Sequence, residues 1–95
     1  MQIENEIFEK AFKKHQGGKI KEAQKLYLEL LKKRENYKLF FLLGTTYLQT
    51  EEYEKAINFF SDSIKIEPNF PDVYNNRGIA LTKKKQYLES INDFN

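Results

Sequence analysis

Apolar residues recur along this chain at helical spacing. From Tyr37 to about Thr50, Phe40, Leu43, Gly44 and Tyr47 fall at i, i+3, i+4 and i+7, one face of a helix. A polar break follows at Gln49–Glu52. The spacing then resumes from Tyr53 through Ile57, Phe60 and Ile64, with Ala56 on the same side. Pro68 predicts the end of that second helix, because proline lacks an amide hydrogen and clashes with the preceding turn. Gly44 and Ala56 are the small residues of the two inward faces, so the pair is expected to pack closely.

The same reading extends both ways. Met1–Gln16 predicts a helix with Ile3, Ile7, Phe8, Ala11 and Phe12 on one face, closed by Gly17-Gly18. A second helix is expected over about Lys19–Lys33, with Ala23, Leu26, Tyr27, Leu30 and Leu31 as its stripe. Beyond Pro68-Asn69-Phe70-Pro71, a helix to about Lys83, a turn at Lys84–Gln86 and a last helix from Tyr87 are expected. Pro71 suits a first helical turn, where its missing donor costs nothing.

The pattern is also periodic. Tyr74, Gly78, Leu81, Tyr87, Ile91 and Phe94 lie 34 residues after Phe40, Gly44, Tyr47, Tyr53, Ile57 and Phe60. Such a period marks a solenoid of helix–turn–helix units. Phe40, Leu43-Gly44, Tyr47, Tyr53, Ala56, Phe60 and Pro68 resemble the signature of the tetratricopeptide repeat. Ser63, Arg77 and Ser90 depart from the residues that family prefers. The resemblance implies an all-α, right-handed superhelical solenoid of antiparallel helix pairs, about two and a half repeats long. Residues 1–36 read as a divergent first repeat, 37–70 as the second and 71–95 as a truncated third. Ala23 precedes Ala56 by 33 residues, one short of the later period, so a tighter connection is expected around Glu35-Asn36.

Composition narrows the function classes. Aromatics reach 15% and hydrophobic residues 40%, enough for a packed core and against disorder. The longest apolar run, Leu39–Leu43, is far short of the ~20 residues a membrane span needs, so no membrane partner is expected. The N-terminus lacks a signal-peptide plan, and a cytoplasmic protein is expected. There is no cysteine and one histidine, His15, so neither a metal site nor a nucleophile–base pair is predicted and no cofactor is implied. His15 reads as a helix-end side chain interacting with the dipole. Gly17-Gly18 reads as a turn, and Glu51-Glu52 as a solvated pair. The basic runs Lys32-Lys33-Arg34 and Lys83-Lys84-Lys85 lie near helix ends with Glu29, Glu35 and Glu89 close by. They read as solvated faces, and no nucleic-acid partner is expected.

The expected function is therefore non-catalytic: a protein-interaction module that holds an extended peptide or a helix in its concave groove. The resemblance places the groove on the first helix of each pair. Its positions there are Phe8 and Phe12, then Lys38, Phe41, Leu42, Thr45 and Gln49, then Asp72, Asn75, Asn76, Ile79 and Lys83. Phe41 and Leu42 stand between two readings, groove or packing against Phe8 and Phe12. The family's clamp for a chaperone's C-terminal carboxylate is absent, since Phe8, Phe12 and Leu42 replace its Lys and Asn. Of the asparagine ladder carried by repeats attached to sugar transferases, Asn76 alone is matched. The competing reading is an N-terminal, substrate-recruiting segment of a larger enzyme such as a glycosyltransferase. The third repeat reads as incomplete, the chain as a fragment or the start of a longer protein. Leu81, Tyr87, Ile91 and Phe94 are expected as an inward stripe left open to end-to-end self-association.

Overall fold

The computed structural model describes residues 2–94, and the side chains of residues 4–91. Within them the chain is all helix: α1 (Gln2–Gln16), α2 (Ile20–Lys33), α3 (Tyr37–Gln49), α4 (Tyr53–Ile66) and α5 (Pro71–Phe94). Each helix packs on the next, α1 on α2, α2 on α3, α3 on α4 and α4 on α5, and α3 also touches α5. The result is an elongated body of 52 × 29 × 20 Å.

Two turns reverse the chain by the same device. After α1, the Lys19 amide bonds the Lys14 carbonyl at 2.9 Å and the Gly18 amide bonds that of His15 at 3.1 Å, with Gly18 at φ +82°. After α3, the Glu52 amide bonds Tyr47 at 2.8 Å and the Glu51 amide bonds Leu48 at 3.1 Å, with Glu51 at φ +64°. Both are Schellman closures with one left-handed residue. Glycine occupies that position without strain. Glu51 meets a steric cost there that the helix following it must offset.

The links between pairs differ by one residue, three (34–36) after α2 and four (67–70) after α4, which accounts for the shorter first period. Asn36 starts α3, its side-chain oxygen accepting from the Lys38 amide at 2.8 Å and the Leu39 amide at 3.4 Å. Asn36→Ala is expected to cost about 1 kcal/mol, read as a lower urea midpoint with an unchanged slope. At the other link, Glu67 adopts the extended backbone that a following proline imposes.

The core runs through equivalent seats of the first two pairs. Ala11, Ala23 and Tyr27 are fully buried in the first. In the second, Leu43, Ala56 and Phe60 are fully buried, and Gly44 is buried with them. Ala11 stands 33 residues before Gly44, and Tyr27 33 before Phe60. Val73 and Ala80 bring the start of α5 onto this core. Ser63, where the family prefers alanine, is buried because its hydroxyl donates to the Tyr37 carbonyl at 2.8 Å, tying the end of α4 to the start of α3.

One expectation is overturned. No turn forms at Lys84–Gln86, and α5 is a single helix of 24 residues. The residue equivalent to Glu51 is Lys85, flanked by Lys84 and Gln86, all good helix formers. A left-handed Lys85 would need a following helix that buries enough to offset it. The segment from Tyr87 carries Ser90 in Ala56's place and Asp93 in that of Phe59. The expected inward stripe changes with it. At about 100° per residue, Tyr87 points roughly 120° away from Leu81 along a continuous helix. Tyr87 and Ile91 instead continue the side that holds Val73, Ala80 and Lys84. They are 58% and 41% exposed. The side chains of Ile3 and Phe94 lie outside the described residues.

Candidate interaction surface

The first helices of successive pairs, α1, α3 and α5, are joined along one side by polar side chains. His15 on α1 meets Gln49 on α3, Nε2 to Oε1, at 2.7 Å. An amide oxygen can only accept, so the ring proton sits on Nε2, and Nδ1 accepts from the Tyr27 hydroxyl at 3.1 Å. On α3, the Thr45 hydroxyl donates to the Phe41 carbonyl at 2.9 Å and accepts from the Asn76 amide on α5 at 3.4 Å. Behind this row, Gln24 donates to the buried Thr46 hydroxyl at 3.2 Å, and Thr46 donates to Leu43 at 2.7 Å. These bonds fix the relative register of three helices without a long loop.

The structure therefore brings Thr45, Gln49 and Asn76 together, with Ile79 and Lys83 exposed further along α5. Asn75 is exposed on α5, and Leu42 is half-buried on α3. Phe41 has a home in the core: its ring meets Phe70 edge-on at 4.9 Å and Phe60 at 6.1 Å. Phe8 and Phe12 stack on each other at 6.3 Å. His15, which the sequence marked only as a helix-end side chain, also belongs to this row. It joins this row through a partner 34 residues away, and no local pattern signals that contact.

Lys38 lies apart, at the end of the body where α1, α2 and α3 meet. There a cleft of about 250 Å³ has Phe8, Leu30 and Leu39 as its floor, with Arg34, Lys38 and Glu4 at its rim.

Two titratable groups are shifted by their surroundings. Burial pushes the Tyr27 phenol up to about 12, so it stays a neutral donor. The Thr50 hydroxyl, 2.7 Å away, and then Lys55 hold the Glu52 carboxyl below its usual range. Among the described residues no cluster of His, Asp or Glu could hold a metal ion, and no helix is long and apolar enough to cross a membrane. Both ring nitrogens of His15 are occupied by Tyr27 and Gln49.

The geometry defines the class first: stacked antiparallel helix pairs whose first helices share one polar side. Residues 44–85 match the family model for the TPR repeat, so this part of the chain is similar to tetratricopeptide repeat proteins. It is similar to the tetratricopeptide repeat domain-containing protein PYG7, chloroplastic, of Arabidopsis thaliana. The two are 33% identical over 52 residues, which span 55% of this chain and 17% of that protein. Repeats of this family are in general modules of protein–protein contact and typically non-catalytic.

Proposed function

We propose that the side shared by α1, α3 and α5 binds a protein partner, holding an extended segment or a helix along Gln49, Thr45, Asn76 and Ile79. The observation that carries this reading is the pair of bonds His15–Gln49 and Thr45–Asn76. They hold polar side chains of three helices in one row before any partner arrives. A preformed row spares the ordering cost that flexible side chains meet on binding. Gln49 keeps its amide NH₂ for a partner, and Asn76 keeps its carbonyl oxygen, a donor and an acceptor suited to peptide backbone.

Replacing Gln49 and Asn76 together by alanine is expected to weaken partner binding by roughly tenfold or more while leaving helicity intact. Replacing Lys83, Lys84 and Lys85 by glutamine should matter less. Titration calorimetry of both variants against the partner decides between this reading and an electrostatic one. Loss of binding in the lysine variant alone would reject the groove.

A further inference from the structure

The cleft where α1, α2 and α3 meet has a lining sorted by chemistry. Its floor is apolar: Leu30 and Leu39 are buried and Phe8 is half-buried. Its rim has two unlike sides. The α1 side supplies Glu4 and Asn5. The link before α3 and the first turn of α3 supply Arg34, Asn36 and Lys38. The Asn36 oxygen is already taken by the Lys38 and Leu39 amides, at 2.8 and 3.4 Å, so this side chain has its NH₂ left to offer. That side therefore presents donors, two of them cationic, and the α1 side a carboxylate.

Among the described residues Glu4, Arg34 and Lys38 close no ion pair, with one another or elsewhere. Lys38 also stands against the dipole of its own helix, which disfavours a cation in the first turn. The first turns of α1, α2, α4 and α5 carry Glu4, Glu22, Glu54 and Asp72, whereas that of α3 has no acid. Two unpaired cations over an apolar floor suit an anionic group that arrives with an apolar body. Glu4 adds a second demand, that the same ligand carry a cation. The cleft, at about 250 Å³, is smaller than the roughly 300–1,000 Å³ of drug-sized sites, so the ligand is small.

We propose that this cleft binds a free α-amino acid with a large apolar side chain. The side chain lies on Phe8, Leu30 and Leu39. The carboxylate meets Arg34, Lys38 and the Asn36 NH₂, and the ammonium meets Glu4. The site is separate from the polar row and does not depend on it.

The probe is L-phenylalanine, titrated into the 95-residue chain and followed by amide shifts. Shifts are expected at Phe8, Leu30, Asn36 and Leu39. Phenylalaninamide lacks the carboxylate and 3-phenylpropionate lacks the ammonium. Each should bind the parent about tenfold more weakly than phenylalanine. Glycine, without the apolar body, should bind more weakly still. The variants are read by selectivity, which a loss of folding does not mimic. Arg34→Gln with Lys38→Gln should erase the preference for phenylalanine over its amide. Glu4→Gln should erase the preference over 3-phenylpropionate. The Gln49→Ala, Asn76→Ala double variant should behave as the parent, which separates this site from the polar row. Equal binding of phenylalanine and either analogue by the parent, shifts centred on Thr45 and Gln49, or no shifts up to the solubility limit would overturn the proposal. So would unchanged selectivity in either rim variant, or proximity of Ile3 to Leu39 in the free chain, which would show the cleft filled from within.

Discussion

Gly44→Leu is expected to abolish the cooperative unfolding transition of this chain or lower its midpoint severely. Even the first carbon has no room. A Cβ on Gly44 would stand 2.5 Å from Cδ1 of Phe60 and 3.0 Å from its Cζ. Phe60 is fully buried, with the Phe41 ring 6.1 Å from its own, so moving it aside disturbs the core. Gly44→Ala would gain about 1 kcal/mol of helix propensity and lose it to the clash. Leucine adds three more carbons to the same seam. Overpacking of this kind costs about 1–3 kcal/mol and occasionally more, in a domain of a size that is marginally stable to begin with. Chemical denaturation followed by circular dichroism measures it. A midpoint equal to the parent's would mean that α3 and α4 do not meet at Gly44 and Phe60.

The two glycines of the repeat make a controlled comparison. Gly78 holds the equivalent place in α5, where an added side chain meets open space. Gly78→Ala should therefore stabilise the chain, by roughly 0.5–1 kcal/mol. One motif position thus gives opposite signs, and the sign follows from whether a second helix covers it.

That contrast also shows what the sequence could and could not convey. Helix spacing alone located the pairs, because Phe40, Gly44 and Tyr47 share a face only in a helix. The 33-residue offset puts Ala11 in the place that Gly44 takes one pair later, whereas the 34-residue offset pointed to Gly78, where no close seam forms. The turn at Lys84–Gln86 was misread because periodicity reports which residues match, not whether the following helix buries enough to force a left-handed lysine. Glu51 takes that conformation with Ala56 and Phe60 fully buried behind it. Lys85 has Ser90 and Asp93 in the places of Ala56 and Phe59. The polar row was legible only in part. Thr45, Gln49 and Asn76 are positions that the resemblance to the repeat family implied. His15 reaches Gln49 across the first two pairs, and a contact between elements has no period along the chain.

Alkaline pH should expose the His15–Tyr27 contact directly. Tyr27 is fully buried, and burial pushes its phenol up to about 12 from an ordinary value of 10.0. In the unfolded chain the phenol ionises near the ordinary value, whereas the folded chain keeps it neutral to higher pH. The stability that this preference supplies is fully present below pH 10. It falls as pH rises from there toward 12, and the whole loss is roughly 2–3 kcal/mol. Tyr27→Phe removes the titration. At neutral pH that variant should be the weaker one by about 1 kcal/mol, because His15 Nδ1 loses the hydroxyl that donates to it. Its stability then lacks the Tyr27 contribution to the alkaline decline, and whatever the two proteins share cancels in the difference. The two urea midpoints should converge near about pH 11, where one unit of the shift has been lost, and the variant should be the more stable above it. Parallel curves for the two proteins from pH 8 to pH 12 would show that the Tyr27 hydroxyl reaches water, and that the contact with His15 does not hold it in the core.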